Sequence, residues 1–220
     1  MRSNKKAAIF DLDGVLVNSM PLHFKAWRRA FQEVAGISVT ERDLYLLEGM
    51  RGAELIQKIF EQNHVNSEPL AHKVNEEKNK IFGTIKDGIK PFPGTREAVE
   101  AIPCKKAVVS GSAKRDVIPI VEQAFGKQFE VILTADDTKK GKPDPSSFLE
   151  AHRRLGIQGL EQSIIIENAP LGVKAANNAG IDCIVVLNNT PLLRSDFDGL
   201  ISPEKILDST ALIKDVLGDT

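Results

Sequence analysis

A change of hydrophobic period is the feature that most limits how this chain folds. Lys5 to Phe10 reads as a short buried strand with Asp11 at its end. From about residue 18 to residue 91 the period is helical throughout. Leu22, Ala26, Trp27, Ala30, Phe31 and Val34 form one stripe, closed by Gly36. Thr40 with Asp43 has the form of a capping box for a short helix ending near Gly49. Leu55, Ile56, Ile59 and Phe60 form the next stripe. Leu70, Val74, Ile81 and Ile85 lie on a long polar helix with Ser67 as its cap. After Pro91-Phe92-Pro93-Gly94 the period switches again. Apolar runs at Ala107–Val109, Val131–Thr134, Ile164–Ile166 and Ile184–Leu187 alternate with helical segments. Asp144 caps one of these, with Pro145 at its first position and Gly156 at its end. Gly180 ends another that starts near Ala169, and Pro119 marks either a kink or a late helix start. Strands alternating with helices predict a parallel sheet covered on both faces. The expected fold class is therefore α/β: a Rossmann-like core of residues 1–17 and 92–220, carrying an inserted all-helical cap of residues 18–91. The two crossings, near 17–19 and 87–93, are natural hinges for such a lid.

Composition narrows the function classes. At 220 residues, with 42% hydrophobic and 27% charged residues, the chain has enough apolar material for a real core, and disorder is excluded. A net charge of −1 gives no reason to expect nucleic acid or an anionic membrane as partner. Cys104 and Cys183 exclude a disulfide scaffold and fit a reducing compartment. The run Ala7–Phe10 behind the charged stretch Arg2–Lys6 is too short for a secretory signal, and no apolar run of about 20 residues offers a membrane span. The expected location is cytoplasmic and the expected state a monomer.

Ligands of open α/β sheets bind beyond the carboxyl ends of the strands, so the residues there carry the chemistry. The first run is followed by Asp11, Asp13 and Gly14; the second by Ser110, Gly111 and Ser112; the third by Lys142 in Gly-Lys-Pro-Asp-Pro; the fourth by Glu167 and Asn168. Each alone has an ordinary explanation as a cap, a turn former or a solvated charge. All of them together, at successive strand ends, form one rim. Oxygen ligands of this kind select a hard cation, and Mg2+ suits one or two carboxylates with waters and a phosphate. A cation and a lysine neutralise a phosphoryl group, while a hydroxyl and nearby backbone N–H groups bind its remaining oxygens. One carboxylate can attack phosphorus and a second can give and take protons. The inventory fits phosphoryl transfer through a covalent intermediate.

Asp11-Leu12-Asp13-Gly14-Val15-Leu16-Val17, Ser110-Gly111-Ser112, Gly141-Lys142-Pro143-Asp144-Pro145 and Glu167-Asn168 resemble, in order, the four motifs of the haloacid dehalogenase superfamily. The resemblance covers essentially the whole chain. It is to the phosphatase and beta-phosphoglucomutase branch with a helical cap, and Pro21-Leu22-His23-Phe24-Lys25-Ala26-Trp27 is similar to the first cap helix of beta-phosphoglucomutases. The resemblance implies Asp11 as nucleophile. It implies Asp13 as the acid that protonates the leaving oxygen and later activates the acceptor, its backbone carbonyl also reaching Mg2+. It implies Ser110 as a donor to phosphoryl oxygens, Lys142 as a bridge between Asp11 and the phosphoryl group, and Glu167 and Asn168 as holders of Mg2+, with Asp11. An acid at Asp13 favours phosphate esters over carbon–halogen or carbon–phosphorus bonds. The departure is Asn168, where most members carry aspartate: it keeps an oxygen ligand and drops one negative charge.

Candidate substrate-binding residues are His23, Arg51, Gly111, Ser112 and Lys114. His23 is read either as a packed histidine or as a contact of Asp13 at the lid junction. Arg51, in Gly49-Met50-Arg51-Gly52, sits one residue before the arginine of the mutases. Lys114 either touches phosphate or opens a helix. Arg28 and Arg29 are expected on a solvated face, and His64, His72 and His152 at the surface. The expected function is a Mg2+-dependent phosphatase acting on a small phosphorylated metabolite, a sugar phosphate or a phosphoglycolate-like ester. The alternatives are a beta-phosphoglucomutase built on the same core and a non-catalytic scaffold.

Overall fold

The structure, a computed structural model, describes residues 5–66 and 69–218. Strand β1 (Ala7–Asp11) is followed by four helices, α1 (Met20–Ala35), α2 (Glu41–Leu46), α3 (Gly52–Gln62) and α4 (Ala71–Ile85). The chain then alternates through α5 (Thr95–Ala101), β2 (Lys105–Val109), α6 (Lys114–Phe125), β3 (Val131–Leu133), α7 (Ser146–Leu155), β4 (Ser163–Glu167), α8 (Pro170–Ala179), β5 (Asp182–Val186), β6 (Ile206–Leu207) and α9 (Ile213–Leu217). The six strands form one sheet in the order β3-β2-β1-β4-β5-β6, and every neighbouring pair is parallel. The chain winds outward from β1 in one direction and from β4 in the other. The topological switch point therefore lies between β1 and β4.

Alternation along the strands builds the two layers. Ala7 and Ile9 of β1 pack with Phe148 and Ala151 of α7 and Val173 and Ala176 of α8. Ala8 and Phe10 pack with Val99 of α5, Val117 and Val121 of α6 and Ile213 of α9. Burial on both faces is why these strands read as unbroken apolar runs. The four helices after β1 close on a third core of Trp27, Phe31, Ile56, Phe60, Val74 and Phe82. Each such side chain contributes roughly 1.5–3 kcal/mol on burial. Entry to and exit from this helical block are paired: Asn18 N–H donates to the Lys90 carbonyl at 2.9 Å, and Val17 forms an antiparallel bridge with Pro91.

Local signals were mostly legible. Thr40 and Asp43 make the reciprocal capping box, and Gly36, Gly156 and Gly180 end their helices in the left-handed region. Several expectations are corrected. The helix opened by Thr40 stops at Leu46, and a turn carries the chain to Gly49. Pro145, not Asp144, takes the N-cap position of α7; Asp144, one residue earlier, forms the turn into it, its Oδ1 accepting from Ser146 N–H at 3.0 Å. Pro119 lies inside α6. The two-residue β6 was missed because so short a strand has no readable period. His152 is buried, its Nδ1 2.8 Å from Ser163 Oγ, because α7 turns that face onto the sheet. Arg28, Arg29, His64 and His72 are exposed. Ser67 lies outside the described residues. Among the described residues no helix is long and apolar enough to cross a membrane.

Candidate active site

The carboxyl ends of β1 and β4 bring Asp11 and Glu167 side by side at the switch point. Lys142, delivered by the loop between β3 and α7, is buried and donates from Nζ to Asp11 Oδ1 and Glu167 Oε1. Burial alone would strip its proton. The two carboxylates outweigh burial and push the ammonium pKa well up. Asp11 feels the opposite balance. Burial raises its pKa well above the usual carboxylate range; Lys142 opposes this, while Glu167 and Asp13 add to it. Glu167 also accepts from the N–H groups of Asn168 (2.8 Å) and Ala169 (3.1 Å), where α8 begins. The third residue of α8 must be glycine: a Cβ at Gly172 would lie 1.9 Å from Glu167 Oε1.

Asp13 is surrounded by donors. Oδ1 accepts from Ser19 Oγ at 2.5 Å and lies 3.4 Å from His23 Nε2. Oδ2 accepts from Ser110 Oγ at 3.0 Å and Ser112 Oγ at 3.3 Å. Burial works against its charge, but His23 and the hydroxyls outweigh it and hold the carboxyl below its ordinary range. His23 meets both of its readings, since it is buried, stacks on Phe82 at 4.1 Å and faces Asp13. Burial first, and then the Lys78 charge, lower its pKa against the pull of Asp13.

Asp11 and Asp13 form part of the floor of a cavity of about 360 Å³ between the sheet and the helical block, whose walls include His23, Arg51, Lys78, Gly111, Ser112 and Asp116. That volume suits a small metabolite. The helical block is docked over the sheet. Lys142 N–H donates to the Gly49 carbonyl at 3.1 Å, and a Cβ on Gly49, at φ +92°, would lie 2.5 Å from Lys142 Cδ. Arg51 reaches the cavity wall, but its guanidinium donates to the Thr138 carbonyl of the facing loop. Lys114 is not brought to the cavity. It is exposed at the start of α6, where its N–H donates to Asp136, so the helix-opening reading stands.

Sequence reasoning missed Ser19, Glu48 and Lys78. Lys78 had a readable signal: it falls between Val74 and Phe82 at four-residue spacing, on the apolar face of α4. It lies 5.1 Å from the Trp27 ring and 4.6 Å from that of Phe82, and burial lowers its pKa to about 8. Glu48 is buried and accepts from Asn168 Nδ2 at 2.9 Å; only docking of the helical block on the sheet makes that contact.

The donor set fits a hard divalent cation. Asn168 Oδ1 is buried without a partner, and Asp11 and Glu167 share a single lysine. Among the described residues no group of three or more acidic, imidazole or thiol side chains is placed to hold a metal ion by itself. Two carboxylates and an amide oxygen leave positions for water and substrate, which is the manner of Mg2+.

A family model described as haloacid dehalogenase-like hydrolase matches residues 8–186. A phosphorylated carbohydrates phosphatase of Thermotoga maritima is 31% identical over 223 residues, spanning 96% of this chain and 100% of the relative. The beta-phosphoglucomutase of Bacillus subtilis is 27% identical over 202 residues, spanning 87% of each. Among solved structures, a beta-phosphoglucomutase of Clostridium difficile superposes with a TM-score of 0.79 at 27% identity, over 96% of this chain and 93% of that one.

Proposed function

The chain belongs to the haloacid dehalogenase-like hydrolases, in their phosphatase and beta-phosphoglucomutase-like branch, and from that premise we propose that it hydrolyses a small phosphomonoester of the sugar phosphate class through an aspartyl-phosphate. The observation that carries this reading is the pair at the cavity floor, Asp11 bound by Lys142 and Asp13 bound by Ser19, Ser110 and Ser112. Asp11 forms the new bond to phosphorus as the bond to the ester oxygen breaks. Asp13 gives its proton to that oxygen and then takes one from the water that releases phosphate. Asp13 is held ionised in the free enzyme, so the proton it gives is one it takes from the phosphate monoanion or from solvent as the substrate binds and sets a like charge beside it. Lys142 opposes the burial that raises the Asp11 pKa and would neutralise charge on the phosphoryl group. Asp11, Glu167 and Asn168 would hold Mg2+, which when bound supplies charge neutralisation to the phosphoryl oxygens. Gly111 and Ser112 offer donors at the cavity floor, and Lys78 a cation from its wall.

The second reading is a beta-phosphoglucomutase, favoured by the relatives and by the helical block docked over the sheet, the arrangement that exclusion of water would need. Against it, Arg51 spends its guanidinium on Thr138 rather than on a second phosphate. The test is phosphate release from a panel of phosphorylated metabolites, with Mg2+ and with chelator. Metal-dependent release from a few sugar phosphates is expected. Formation of glucose 6-phosphate from glucose 1-phosphate without release would establish the mutase. Neither product from any substrate would overturn both readings in favour of a scaffold.

A further inference from the structure

Glu48 reaches from the helical block to Asn168 at the catalytic floor. It sits on the turn between α2 and α3, one residue before the glycine that docks on Lys142. Only 9% of it is exposed, and its carboxylate's one hydrogen-bond partner among the described residues is the Asn168 amide, at 2.9 Å from Oε2. Its second oxygen, Oε1, has no partner, and neither does Asn168 Oδ1. Both side chains converge over Gly14: a Cβ there would lie 2.1 Å from Asn168 Nδ2 and 3.1 Å from Glu48 Oε1. Two unsatisfied oxygens on one buried acid–amide pair are costly unless a third group uses them. Among the described residues no cationic side chain forms an ion pair with Glu48; Lys142, whose charge reaches it, is paired with Asp11 and Glu167.

We propose that Glu48 completes the cation site from the cap side, supplying the negative charge that Asn168 lacks, so that cation binding and docking of the helical block are one event. This rests on the reading that Asp11, Glu167 and Asn168 hold a divalent cation. An aspartate at 168 would keep all the charge on the core and leave the cation indifferent to the cap. An asparagine turns its Nδ2 toward Glu48 and shares the site across the interface, with Oδ1 left to face the cation. Glu48 acts on the metal or on its bound water, and its carboxylate charge, not its hydrogen bond to Asn168, is the contribution.

The test uses Mn2+ alone, titrated by electron paramagnetic resonance into the wild-type protein, Glu48→Gln, and Glu48→Gln combined with Asn168→Asp. The glutamine keeps an oxygen acceptor for Asn168 and removes only the charge. Mn2+ affinity should fall about tenfold or more in the single variant and recover in the double, where the charge returns to the core. Amide exchange of residues 47–52 should be slowed by Mg2+ in the wild type and not in either variant. Wild-type Mn2+ affinity in Glu48→Gln, or equal Mg2+ protection of residues 47–52 in that variant, would overturn the proposal. A wild-type protein that binds no Mn2+ would instead bring down the cation reading itself, and this proposal with it.

Discussion

On the proposed mechanism Asp11 must be ionised to attack phosphorus, yet it sits where burial and two neighbouring carboxylates oppose its charge. Lys142 is the chain's answer to that conflict. Asp11→Asn removes the attacking oxygen and leaves Lys142 an acceptor, so phosphate release is expected to vanish while the thermal unfolding transition persists. Turnover surviving in that variant would exclude the covalent route. Lys78 makes a second prediction. Its pKa is lowered to about 8, so the ammonium facing an anionic substrate loses its proton as pH rises through that value. KM should climb there, and Lys78→Arg should remove the climb, because a guanidinium keeps its charge. An unchanged pH profile would assign the titration elsewhere. Asp11, Asp13, Lys142 and Glu167 were legible because each closes a strand or a strand-end loop. Glu48 was not, because nothing within the stretch from Leu44 to Gly49 encodes what the helical block will touch across the interface.

Among the elements, the start of α8 is the most constrained. Just before it, the N–H groups of Asn168 and Ala169 fold back on Glu167, and Gly172 passes within a side chain's width of that carboxylate. Alanine would improve helix propensity by about 1 kcal/mol, but its Cβ would meet Glu167 at 1.9 Å, which no rotamer of a carboxylate held by two amides relieves. Overpacking of this kind costs typically 1–3 kcal/mol and wins. Gly172→Ala is therefore expected to lower both thermal stability and catalytic rate, as read by calorimetry and phosphate release. The helical periods of α1, α3 and α4 announced themselves through unbroken stripes such as Leu55, Ile56, Ile59 and Phe60. The β6 pair Ile206 and Leu207 did not, because two residues joining a sheet edge are selected by β5 beside them and not by any pattern of their own.

At the scale of the molecule, the helical block has a core largely its own. Ile89 lies at the margin of both its apolar cluster and one sheet layer, and Met20, Tyr45 and Leu46 join the other layer, while Phe31 and its neighbours pack only within the block. Phe31, fully buried in that cluster, should therefore report on one region alone. Phe31→Ala is expected to cost about 3–5 kcal/mol locally and to speed amide exchange through α1, α3 and α4 while β1, β2 and β4 stay protected. Equal loss of protection in the sheet would show a single cooperative unit. This division was readable from the change of period at about residues 18 and 91; the docking that makes the two parts one site was not. The paired crossings carry one more consequence, for engineering. Val17 and Pro91 run antiparallel, and Asn18 and Lys90 are joined by a backbone hydrogen bond. The stumps left by excising everything between them are already aligned as the two sides of a hairpin, so an Asn-Gly turn would rejoin them without moving the sheet. A different block spliced at the same two points would face the same sheet-borne Asp11, Asp13 and Lys142, and on the inference above it would have to bring its own acid to the place of Glu48.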